Sequence, residues 1–219
     1  MEGWHARMST ASCCEPTTDE TRPTPRMRLS ERLAHVVSNL GSPPVTTAVG
    51  SGLIAGSAAT QRAWLWSGIH LTLVVVIPLL YLGILLLRGK VSDIDVQLRE
   101  QRLQPFVVLL IGAVAASVVL YLGSAPPLLV TAAWAHATEV ALIMGITTRW
   151  KISVHCAAAA GLAVLAYSLG HVSALAAIPA VPLVAWSRVR LGRHTLAQTL
   201  AGIGLGSVVF AAALIVGVA

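Results

Sequence analysis

Seven stretches of this chain are apolar enough to enter a bilayer, and only short polar loops separate them. They cover 43–60, 64–87, 105–123, 126–147, 153–169, 172–186 and 197–218. A helix needs about 20 mostly apolar residues to cross the hydrocarbon layer. The first stretch is the weakest, being rich in glycine and threonine. The pattern predicts an all-α fold, a polytopic transmembrane bundle of six to seven helices, six if the first stretch is re-entrant. Composition agrees: 56% of residues are hydrophobic and 11% charged, against about 25% charged in soluble domains.

Residues 1–28 are polar and basic, with Pro16, Pro23 and Pro25 among Arg22, Arg26 and Arg28. This segment reads as a disordered cytoplasmic tail, and residues 29–219 read as one helical domain. Leu29 to Asn39 is a short amphipathic approach suited to the membrane surface. With seven spans, every one of the 15 lysines and arginines except Arg62 falls on one face. The positive-inside rule makes that face cytoplasmic. The expectation is an integral membrane protein of a bacterial-type plasma membrane, with its N-terminal tail in the cytoplasm. The net charge of +6 is spread over interhelical loops, which points to lipid headgroups or phosphate and not to nucleic acid. Cys13, Cys14 and Cys156 offer no disulfide framework and read as free thiols.

Two basic clusters carry chemistry. Ser187-Arg188-Val189-Arg190-Leu191-Gly192-Arg193-His194 places three arginines and a histidine between two apolar runs. Cations are costly in hydrocarbon, and guanidinium forks match phosphate oxygens. A histidine among them can attack phosphorus or relay a proton. The second cluster is Arg149-Trp150-Lys151-Ile152-Ser153-Val154-His155, leading into Cys156-Ala157-Ala158-Ala159-Ala160-Gly161. Ser153 suits a helix N-cap, which aims amide donors toward an anion.

Ser187-Arg188, five residues, then His194 resembles the Ser-Arg-x5-His-x3-Asp motif of the type 2 phosphatidic acid phosphatase superfamily, which includes the vanadium haloperoxidases. Ser153-Val154-His155 is similar to that family's Pro-Ser-Gly-His motif, with Ile152 in place of proline and Val154 in place of glycine. The apolar segments between and after the motifs also follow the family layout. The resemblance implies a membrane phosphatase that hydrolyses a lipid phosphate, such as phosphatidate or an isoprenoid phosphate or diphosphate, through a phosphohistidine. His194 would be the nucleophile and His155 the acid for the leaving oxygen. Arg188, Ser153, Lys151 and Arg102 would bind the phosphate. Neither a cofactor nor a metal is implied.

The chain departs from the family at two places. The aspartate four residues after the histidine is Gln198, which lies on the same helical face. It can orient the ring but not stabilise its charge. The family's first motif, Lys-x6-Arg-Pro, is replaced by Lys90, Arg99 and Arg102 with Pro105 beyond. A catalytically weak or inactive phosphate-lipid-binding membrane protein is therefore the alternative. A more distant one is a prenyltransferase-like protein, with magnesium on Asp93 and Asp95 and a diphosphate on Arg99 and Arg102. The chain specifies neither the lipid nor the oligomeric state.

Three further features stand out. His136 and Glu139 lie about one turn apart inside an apolar span. An acid there is a functional candidate by default, either standing in for the absent aspartate or pairing with an arginine. His35, His70 and His171 read as interfacial. Gly202-x3-Gly206 reads as a close helix-packing face.

Overall fold

The computed structural model describes residues 28–92, 101 and 103–218. Arg102, Asp93, Asp95 and Arg99 lie outside the described residues, as does the tail before Arg28. Every regular element among the described residues is helical. In chain order these are α1 (Leu29–Leu40), α2 (Pro43–Ala58), α3 (Gln61–Leu71), α4 (Ile77–Leu87), α5 (Leu103–Leu122), α6 (Pro127–Thr147), α7 (Val154–Leu169), α8 (His171–Arg190) and α9 (Leu196–Val218). A π-helical turn, Thr72–Val76, joins α3 to α4 in one rod, Gln61–Leu87.

Five helices are long and apolar enough to cross a membrane: Gln61–Leu87, Leu103–Leu122, Pro127–Thr147, Val172–Arg190 and Leu196–Gly217. The chain is an integral membrane protein. The other two apolar stretches form α2 and α7, each of 16 residues. At the α-helical rise that is about 24 Å, short of the roughly 30 Å hydrocarbon layer.

The core is built on α7, whose small residues bring its neighbours close. Gly202 and Gly206 of α9 face it: a Cβ at Gly202 would stand 2.5 Å from the Ser153 carbonyl oxygen, and one at Gly206 would run into that of Ala157. The expected glycine face is therefore where α9 meets α7. It fixes the start of α7 against the start of α9, where both candidate histidines sit.

The π turn has a local cause. Pro78 lacks an N–H and its ring clashes with a carbonyl four residues back. The wider turn just before it absorbs the mismatch. Val74 and Val75 on the turn line a cavity together with Pro78, Leu79 and Leu82.

The amphipathic α1 is confirmed. Its buried residues are Ala34 and Ser38, while Leu29, Leu33, Val36 and Leu40 form an exposed stripe at helical spacing. The helix packs on α8, where Arg190 Nη2 donates to Ser30 Oγ at 3.2 Å and meets Glu31 Oε1 at 3.5 Å. Arg62, the basic residue expected on the opposite face, donates from Nη2 to the carbonyls of Gly123 at 3.2 Å and Ser124 at 3.4 Å, just past the end of α5.

Candidate functional site

α8 ends in a Schellman turn. Gly192 takes the left-handed conformation at φ +66, where a side chain is penalised and glycine is not. The N–H of Gly192 donates to Val189 C=O at 3.0 Å, and those of Arg193 and His194 to Arg188 C=O at 3.0 and 3.3 Å. The helix end thus folds His194 back beside Arg188. The spacing that defined the sequence motif becomes a local contact.

Thr195 then caps α9. Its hydroxyl accepts from Gln198 N–H at 3.3 Å, and Gln198 Oε1 accepts from Thr195 N–H at 3.1 Å, a reciprocal capping box. Gln198 Oε1 also lies 3.3 Å from His194 Nδ1. A backbone N–H can be given only to the amide's oxygen, so the side-chain orientation of Gln198 follows from Thr195. Its oxygen accepts, so Nδ1 of His194 carries a proton. In the neutral ring Nε2 is then the lone-pair nitrogen. Burial, the Arg188 cation and the Lys151 cation together lower the His194 pKa from 6.5 to about 3, with the Gln198 bond opposing. The imidazole is neutral at pH 7.

The second cluster meets the first through its loops. Lys151 Nζ donates to Arg193 C=O at 2.7 Å. Ser153 N–H donates to Gln198 C=O at 3.2 Å, and Ser153 Oγ accepts from Cys156 N–H at 3.4 Å. Ser153 is the N-cap of α7, as its position implied. It is fully buried beneath the site and ties α7 to α9. Lys151 likewise braces the 187–194 turn.

Arg188 is 4% exposed, and its Nη1 donates to Ser38 Oγ of α1 at 2.8 Å. The surface helix therefore shares in holding the guanidinium. Sequence reasoning misses Ser38. Its one signal is a polar residue four positions after Ala34 on the buried face of an amphipathic helix.

His155, Arg188 and His194 line one cavity of about 430 Å³. Asn39, Ser42, Thr47, His136 and Thr147 add polar groups to its wall. The rest is apolar, contributed mainly by the π turn, α4 and α5 through Val74, Leu79, Leu82, Phe106 and Leu109. Leu79 is also 43% exposed, so this apolar wall is not sealed. The cavity has a cationic, imidazole-bearing end and an oily side. It suits an amphiphile with an anionic head. No group of three or more histidine, cysteine or carboxylate side chains among the described residues is arranged to hold a metal ion.

Two expectations for other residues change. His70 is not interfacial: it is 3% exposed, with Nδ1 3.0 Å from Ser51 Oγ. Glu139 stands beside His136, Oε2 to Nδ1 3.9 Å, whereas the ring of His194 is held by Gln198. The chain matches no family model, no curated protein and no solved structure.

Proposed function

We propose that this protein is a membrane phosphatase acting on a lipid phosphate, with the phosphate bound where His155, Arg188 and His194 meet. The observation that carries this reading is that these three residues line one amphipathic cavity. Arg188 neutralises the phosphoryl oxygens, and positioning with charge neutralisation supplies most of phosphoryl-transfer catalysis. His194 Nε2 attacks phosphorus, and the bond from phosphorus to the ester oxygen breaks. His155 gives its proton to that oxygen, and the lipid alcohol leaves. Water then attacks the phosphohistidine, with His155 taking a proton, and inorganic phosphate is released. Throughout, the Nδ1 proton stays on the ring against Gln198.

The motif resemblance to the type 2 phosphatidic acid phosphatase superfamily and the apolar wall of the cavity both support a lipid substrate. We read the bundle as seven-spanning, with α2 and α7 as short spans. The basic end, carrying the site and the N-terminal tail, lies on the cytoplasmic side. Purified protein in lipid should release phosphate from phosphatidate without added metal, and His194→Ala should lower the rate by about 10³-fold or more. Equal rates in the two proteins refute the assignment.

Gln198 favours a second reading, a lipid-phosphate-binding protein with little turnover, because an amide offers no charge to an imidazolium. Thermal protection by phosphate or vanadate with no phosphate release would select it.

A further inference from the structure

A second, smaller cavity of about 40 Å³ lies within the bundle, among α2, α3, α6, α7 and α9. Its polar lining is Thr46, Thr47 and Ser51 of α2, His70 of α3, and His136 and Glu139 of α6. α7 and α9 present only apolar residues there, Ala158, Leu162, Leu165 and Phe210. Among the described residues, the titratable groups facing Glu139 around this cavity are thus His70 and His136, and no lysine or arginine lines it.

Glu139 and His70 are each 3% exposed. Each member of the cluster makes one contact and leaves another atom over. His70 Nδ1 meets Ser51 Oγ at 3.0 Å, and His136 Nδ1 lies 3.9 Å from Glu139 Oε2. The remaining atoms, His70 Nε2, His136 Nε2 and Glu139 Oε1, are buried without a hydrogen-bond partner. Buried polar atoms are ordinarily bonded. Three such atoms on side chains that line one void make a site for a small hydrogen-bonding species. Holding one water takes about 10–15 Å³ of such volume and two to four polar partners. The void exceeds that volume, and three of the side chains that line it carry unpartnered polar atoms.

The small cavity adjoins the large one. His136 and Thr47 border both. An anion in the large cavity faces His136, and behind His136 stands Glu139. We propose that His70, His136 and Glu139 form a water-bridged proton site coupled to the large cavity. Arrival of a phosphate head draws a proton from solvent onto the cluster, and departure of the head releases it. Linkage requires the converse: a proton on the cluster strengthens phosphate binding. The coupling rests on the phosphate reading of the large cavity. It adds to that reading a sensor of head-group charge placed within the bundle. The exchange is purely acid–base: the proton comes from water and returns to it.

The test is calorimetry on the full chain in lipid nanodiscs, titrated with inorganic phosphate and with dioctanoyl phosphatidate. Using buffers of differing ionisation heat gives the protons taken up per ligand bound. Uptake by His155, His194 and the ligand itself is common to wild type and variants, so the difference reports the cluster. Glu139→Gln, which mimics the protonated acid, should lose up to about one proton of uptake and bind phosphate as tightly as wild type at low pH and more tightly at high pH. His70→Gln provides the same comparison of proton uptake should Glu139→Gln not fold. A loss seen with both ligands assigns the coupling to the phosphate head itself. A loss seen only with phosphatidate assigns it to the lipid-borne head. Binding with unchanged proton uptake in a folded variant overturns the coupling and leaves the phosphate reading standing. Absence of binding by the wild type overturns both.

Discussion

The oxygen of the Gln198 side chain receives two hydrogen bonds, from Thr195 N–H and from His194 Nδ1. It caps α9 and selects the ring tautomer at once. A glutamate there keeps the reach and the cap, and adds charge. Gln198→Glu should raise turnover by about fivefold, because a charge-assisted bond is worth roughly 1 kcal/mol more than a neutral one. Phosphate release at saturating substrate is the measurement. Aspartate is one methylene shorter and would have to give up part of the cap. The neutral ring also has a stability signature. His194 has a folded pKa of about 3, against 6.5 for an unperturbed imidazole. Between those values the unfolded chain binds a proton the folded one does not. The stability from this residue is therefore full above pH 6.5 and is lost as pH falls toward 3. His194→Asn should flatten the melting temperature across that window. Arg188, His194 and Gln198 are legible in the sequence because one helix end and one cap bring them together locally. Ser38 is not legible as the partner of Arg188, since that contact joins two helices far apart in the chain. Nor does the sequence show that the Ser153 cap is buried.

At the scale of elements, helix positions are legible because apolar runs and loop residues mark them. The apolar run 105–123 forms Leu103–Leu122, and 126–147 forms Pro127–Thr147. The main shift is α8, which continues past 186 to Arg190. Arg188 therefore sits in the last helical turn. The π turn is not legible, because no residue pattern distinguishes it from a proline kink. The contact of α7 with α9 is the joint that matters most for the site. A side chain at Gly206 must displace the Ala157 carbonyl, so Gly206→Val should cost about 1–3 kcal/mol and lower the melting temperature in detergent. Because α9 carries Gln198, turnover should fall with it.

For the whole molecule, the charge asymmetry and the fold agree on two ends. Arg62 and the Gly123–Ser124 turn form one end, and the site loops with α1 form the other. Single cysteines replacing Arg62 and Arg149, in a chain whose own cysteines are changed to serine, should react with an impermeant maleimide from opposite sides of a sealed vesicle. Reaction from the same side would refute the seven-span topology. The His70–His136–Glu139 cluster belongs to this scale too. Its members lie on two helices, and only assembly of the bundle brings His70 of α3 to the cavity that His136 and Glu139 of α6 line.

The apolar wall of the large cavity, with Leu79 both lining it and partly exposed, has a kinetic consequence. A substrate reaching the site by that wall arrives by diffusion in two dimensions. Its effective concentration is its mole fraction in the bilayer, not its amount per litre. Adding inert phospholipid at constant total substrate should slow the reaction, and diluting the whole suspension with buffer should leave the rate per vesicle unchanged.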